Sequence, residues 1–114
     1  MPVIDMRTSP RYNTIARARI PGVLEGDNLV KNLSITGCCL ECTAFCDIKP
    51  NTQYDIVIMP EAAADIGEFD LHVECRWIRN GDYYSDVGFQ VIASPKGKRF
   101  QRYVDYLAYH STLA

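Results

Sequence analysis

A chain of 114 residues, 47% hydrophobic and 23% charged, is the size of one domain: it can bury one core, lacks room for a second, and is too apolar to stay disordered. Its net charge of −2 excludes a chain drawn as a whole to a DNA or RNA polymer, so any anion site must be local. No apolar run approaches the roughly eighteen residues that cross a bilayer, and no apolar leader is visible; the expectation is a cytoplasmic protein with no membrane insertion.

Residues 1–11 have no hydrophobic period and contain two prolines, so they read as an extended, flexible arm. Pro10 pushes Ser9 out of the helical region, so Arg7 and Arg11 are not an i, i+4 helical pair. Basic residues cluster at the two ends: Arg7, Arg11, Arg17 and Arg19 in the first, Lys96, Lys98, Arg99 and Arg102 in the last. This asymmetry points to a local anionic partner.

From Tyr12 to Ile20 the chain alternates, with Thr14, Ala16, Ala18 and Ile20 on one face, until Pro21-Gly22 ends the strand. A second strand is predicted over about Asn28 to Leu33 and a third over Cys38 to Thr43, with Cys38, Leu40 and Cys42 inward and Cys39 and Glu41 outward. Gly37, between them, predicts a bulge or a positive φ. After the turn at Lys49-Pro50-Asn51, Tyr54, Ile56 and Ile58 alternate. Pro60 to Gly67 reads as a loop holding one helical turn. Phe69, Leu71, Val73, Cys75 and Trp77 make the cleanest alternation, which places Trp77 in the core. Asn80-Gly81 signals a hairpin, and the returning strand sets Val87, Phe89 and Val91 on one face.

The period then changes. Ser94 reads as an N-cap and Pro95 as the first helical residue, with Phe100, Tyr103, Val104 and Leu107 at helical spacing. The expected fold is all-β with a C-terminal helix: an arm over 1–11, a six-stranded antiparallel β-barrel over 12–92 and a helix over 94–112, in one domain over 1–114.

Five cysteines are an odd number for a disulfide framework and read as reduced core thiols. Cys39-x-x-Cys42 and His72-x-x-Cys75 have a superficial metal-ligand rhythm, but residues three apart on a strand face opposite ways. No nucleophile–base pair, acidic pair or phosphate-loop glycine motif stands out, so no enzyme, metal or cofactor is expected.

Two groups of polar residues remain. Arg7 and Arg11 carry guanidinium forks that pair bidentately with phosphate or with the O6/N7 edge of guanine; equally, they are ordinary solvated arginines. Asn32 and Ser34, two apart on a strand, share a face: an amide that both donates and accepts beside a hydroxyl donor. Gly37 lets a ligand approach the backbone. The alternative is a polar turn that bonds only to itself.

Together, Arg7-Thr8-Ser9-Pro10-Arg11 and Asn32-Leu33-Ser34-Ile35-Thr36-Gly37 resemble the paired RxxxR and D/N-x-S-x-x-G signature of the PilZ domain family. Cys75-Arg76-Trp77-Ile78-Arg79 and Asp86-Val87-Gly88-Phe89 are similar to that family's last two strands. The resemblance covers nearly the whole chain. It implies a six-stranded barrel with a helix after it, and a receptor for the bacterial second messenger cyclic di-GMP. It also implies that Arg7 and Arg11 wrap over the ligand, that Asn32, Ser34 and Gly37 line the barrel beneath it, and that binding changes the surface offered to a partner protein. The chain departs from the pattern in using Asn32 where aspartate is commoner, and Cys38 where a second glycine is often found. The competing expectation is a ligand-independent PilZ-like adaptor that works by protein–protein contact.

Overall fold

The computed structural model describes residues 10–43 and 46–113. Arg7 and most of the expected arm lie outside them. The strands are β1 (Tyr12–Asn13), β2 (Arg17–Ile20), β3 (Leu24–Leu33), β4 (Gly37–Thr43), β5 (Gln53–Met59), β6 (Phe69–Asn80) and β7 (Tyr84–Ala93). A single 3₁₀ turn, Ala62–Ala64, follows β5, and the helix α1 spans Gly97–Leu113.

Six strands close on themselves in the order β3-β2-β5-β6-β7-β4, with β4 returning to β3, and every pairing is antiparallel. Closure removes the free edges that an open sheet would expose. The architecture is the antiparallel barrel with a trailing helix that periodicity and resemblance both predict.

The first strand differs from its expectation. It is two pieces laid along one edge of β3, because the chain breaks its ladder at Thr14. The Thr14 hydroxyl accepts the Ala16 amide N–H at 2.6 Å, a local bond that competes with sheet pairing. The predicted inward face survives the break: Thr14, Ala16, Ala18 and Ile20 are all buried. β3 also starts earlier than expected, at Leu24.

Alternation holds through β5 and the first half of β6, and these residues fill the barrel with Leu33, Leu40, Val87 and Phe89. The helix closes one side with Phe100, Tyr103, Val104 and Leu107, all buried. Phe69 meets Phe100 and Tyr103 with ring centroids 5.6 and 6.1 Å apart. Tyr103 is wholly buried, yet its hydroxyl is satisfied: it donates to Glu61 Oε1 at 2.5 Å and lies 3.0 Å from the Thr14 hydroxyl. With Ala16 donating to it, the Thr14 oxygen has its own proton free for Tyr103, so the chain runs Thr14 to Tyr103 to Glu61.

Two local expectations are corrected. The helix begins at Gly97, and Ser94 does not cap it: β7 runs on to Ala93, paired with His72, so the Ser94 hydroxyl donates to the Asp70 carbonyl at 3.2 Å instead. Cys39, expected outward, is buried, because Lys31 from β3 and Asp86 from β7 join across β4 at 3.2 Å.

Candidate functional site

β1 is too short to be a structural wall, but its two pairs, Tyr12 with Leu33 and Asn13 with Asn32, fix where Arg11 leaves the barrel. Its Nη1 donates to Asn32 Oδ1 at 3.0 Å, so residues twenty-one positions apart in sequence meet. That bond engages the amide oxygen and leaves the Asn32 amide nitrogen as the donor it can offer.

Gly37 opens β4 opposite Gln90. Its φ is not positive, and the ladder irregularity lies on β3 between Val30 and Asn32, so the reason for glycine is close approach rather than backbone freedom. A Cβ here would stand 2.6 Å from the Phe89 carbonyl oxygen and 3.1 Å from Arg11 Nη2. Any side chain would push against the β7 backbone and the guanidinium together.

Ser34 does not reach the surface. It is wholly buried, and its Oγ accepts the amide N–H groups of Thr36 and Gly37, each at 3.2 Å. Its own amide donates to the Gly37 carbonyl at 2.8 Å. The turn that bonds to itself is what the hydroxyl serves; Thr36, its neighbour in that turn, reaches the open side.

The open side is a cleft of about 320 Å³, lined by Arg11, Thr36, Arg76, Trp77, Gly88, Phe89 and Gln90. Alternation along β6 would send Trp77 into the core, but the residue is 42% exposed. The cause is a register shift between Cys75 and Trp77: Cys75 pairs with Phe89 and Trp77 with Gly88, so Arg76 is the extra residue of a bulge. After it the inside–outside order is reset, and two consecutive side chains, Arg76 and Trp77, are exposed. The indole then lies on Gly88, where a Cβ would come within 2.2 Å of Trp77 Cε2. Arg79 stands 5.5 Å from the ring centroid, a cation–π contact. Arg76 Nη1 donates to Glu74 Oε2 at 2.8 Å and stays half exposed.

The electrostatics of the core behind the cleft are simple. Cys38, next to Gly37, is fully buried, and burial pushes its thiol up to about 12, with the Arg11 charge opposing that rise. Cys38 is therefore an uncharged core thiol rather than a nucleophile. Burial likewise raises Cys39, Cys42 and Cys75. All five cysteines are free, and among the described residues no group of three His, Cys, Asp or Glu converges as a metal site.

A larger cavity of about 460 Å³ lies between β1, the 3₁₀ turn and α1, lined by Tyr12, Ile15, Glu61, Tyr106 and His110 among others. It offers aromatic and aliphatic walls with a carboxylate, and neither Arg nor Lys, so it is the wrong chemistry for an anion.

Of the five residues singled out from sequence, the structure brings Arg11, Asn32 and Gly37 to one place, buries Ser34 directly beneath their turn, and describes nothing of Arg7. Sequence reading missed Arg76 and Trp77. The available signal was a cation and an aromatic side by side, opposite a glycine on the next strand.

No family model matches the chain, and no curated protein matches its sequence. Among solved structures it is similar to the Bacillus subtilis inhibitor of motility MotI/DgrA, with a TM-score of 0.77 and 16% identity over 96% of this chain and 52% of that one. It is also similar to MrkH in the structure of the K. pneumonia MrkH–c-di-GMP complex, with a TM-score of 0.71 and 16% identity over 97% of this chain and 54% of that one. The chain spans about half the length of these proteins. At such identity the likeness is one of fold, and the fold is PilZ-like.

Proposed function

We propose that this protein is a receptor for cyclic di-GMP, which it binds in the cleft beside Arg11. The observation that carries the reading is the contact between the two halves of the motif: the Arg11 guanidinium on the Asn32 amide, over a glycine that leaves room for it. The likeness in fold to a protein solved with cyclic di-GMP bound supports it.

Each residue then has a task set by its chemistry. Arg11 presents its fork to a phosphate or to the O6/N7 edge of a guanine. Asn32 offers an amide N–H to the same base. Trp77, exposed in the cleft, offers its indole for stacking in place of the Arg79 guanidinium now over the ring, a contact worth about 1–3 kcal/mol per base at comparable sites. Gly37 keeps the approach open, and Ser34 acts from below by holding the turn. Arg7, four residues before Arg11, adds a second fork from the arm. Ordering the arm costs about 1–2 kcal/mol per residue fixed. Several charge-assisted hydrogen bonds, about 1.5–3 kcal/mol each, offset that only if they form together.

The protein performs no reaction in this account. Binding orders the N-terminal segment against the barrel and so changes the surface met by a partner protein; likeness to a protein known as an inhibitor of motility supports an output of that kind. Calorimetry with cyclic di-GMP, against GMP and GTP at equal concentration, tests the reading. Micromolar or tighter binding of the cyclic dinucleotide alone is expected. No heat at tens of micromolar overturns it.

A further inference from the structure

We infer that Arg76 is a further ligand-binding cation, outside the two-part motif, which exchanges its internal carboxylate partner for a phosphate of the ligand. The inference rests on the cyclic di-GMP reading and names a residue that reading does not require.

Three observations carry it. The bulge on β6 turns Arg76 out beside Trp77, so the cleft is lined by cations from two sources: Arg11 on the segment before β1 and Arg76 on β6. A ligand with two phosphates and two guanines has more acceptors than the two motif arginines can serve, and Arg11 already commits Nη1 to Asn32. Arg76 is not free-swinging either. Its Nη1 is held by Glu74 Oε2 at 2.8 Å, with the Arg76 side chain 51% exposed and that of Glu74 22% exposed.

The pair is built so that the arginine leaves and the carboxylate stays. Glu74 Oε1 takes a second, longer bond from Gln53 Nε2 at 3.4 Å. Gln53 turns its oxygen to His72 Nε2 at 2.8 Å, and His72 Nδ1 meets Asp55 Oδ1 at 2.8 Å. Glu74 is thus tied back along β5, away from the ligand side, while the Arg76 guanidinium bonds to Glu74 alone among the described residues. A half-exposed ion pair contributes little to stability, so giving it up costs little. A phosphate offers the guanidinium two oxygens, where Glu74 engages it through one. Until the ligand arrives, Glu74 keeps Arg76 extended and limits the repulsion between two cations in one small space.

The test is cyclic di-GMP affinity by calorimetry for the unmodified protein, Arg76→Ala, Arg76→Lys and Glu74→Gln. Arg76→Ala is expected to weaken binding at least tenfold and Arg76→Lys by a smaller factor, because lysine keeps charge and loses the fork. Glu74→Gln, which removes the competing carboxylate charge, is expected to tighten binding two- to fivefold. If the unmodified protein binds and Arg76→Ala binds within twofold of it, the inference is overturned while the receptor reading stands. Weaker binding by Glu74→Gln overturns the exchange. If the unmodified protein does not bind, the receptor reading itself has failed.

Discussion

Under the helix, Thr14, Tyr103 and Glu61 form a chain of hydrogen bonds in which each hydroxyl has its partner inside the protein. In the cleft, Arg11, Arg76 and Trp77 are exposed, the arginines held by one side-chain oxygen each, Asn32 Oδ1 and Glu74 Oε2. Both regions place polar groups against the same barrel. The first places them where burial makes every unmet bond expensive, so it is fully paired and specifies how the helix docks. The second keeps charge at the surface, where the internal partners are weak and replaceable. A region completed from within supports the fold; a region whose internal partners are exposed and replaceable is the one the proposed ligand would use.

Substitutions can break this contrast. Tyr103→Ala empties the largest fully buried position and strands Thr14 and Glu61. A loss of about 3–5 kcal/mol is expected in urea unfolding. A loss below about 1 kcal/mol would mean that the helix is not locked by this residue. Arg11→Ala should do the reverse. Stability stays within about 0.5 kcal/mol of the parent. Cyclic di-GMP affinity falls ten- to hundredfold, about 1.4–2.7 kcal/mol. Comparable losses in both quantities would erase the distinction between the regions.

Gly88→Ala probes the cleft through its shape. The new methyl group claims space 2.2 Å from the indole, so Trp77 must move off β7. Stability is expected to fall by about 1–2 kcal/mol, with a shift in tryptophan emission and weaker ligand binding. Unchanged emission would show that the indole does not rest on Gly88.

The core thiol next to Gly37 sharpens the comparison by pH. In the unfolded chain the Cys38 thiol ionises near its ordinary 9.0, whereas in the folded protein burial holds its proton up to about 12. Within that window the unfolded state binds fewer protons, so this contribution is intact below pH 9.0 and is lost as the pH rises toward 12. Denaturant midpoints should therefore drop on the alkaline side, and Cys38→Ala should flatten the drop. An identical alkaline slope in Cys38→Ala would show that the thiol is not sealed.

The barrel was legible because its strands face water on one side, and a period of two records that directly: Ile56 and Ile58 in β5, Phe69 to Cys75 in β6, Val87 and Phe89 in β7. The helix was legible for the same reason at its own period. What stayed hidden depends on single bonds and single residues. The break at Thr14 follows from one hydroxyl taking the Ala16 N–H. Trp77 looks like core until Cys75 and Trp77 are found opposite Phe89 and Gly88, with Arg76 left over. A bulge adds one residue to one strand, and a pattern of alternation carries no mark of where that residue falls. The candidate site was half legible. Arg11, Asn32 and Gly37 came from the motif; Arg76 and Trp77 came only with the fold. The motif also marked Ser34, whose hydroxyl turns out to face the turn and not the cleft.

The chain has one tryptophan, and it lines the cleft, so its fluorescence reports on the site without a label. The most direct test is a titration of cyclic di-GMP followed by Trp77 emission, with Arg11→Ala beside it. A saturable change at micromolar ligand, shifted at least tenfold to higher concentration in Arg11→Ala, is the predicted result. An emission that never changes, or one that changes identically in both proteins, would contradict the account.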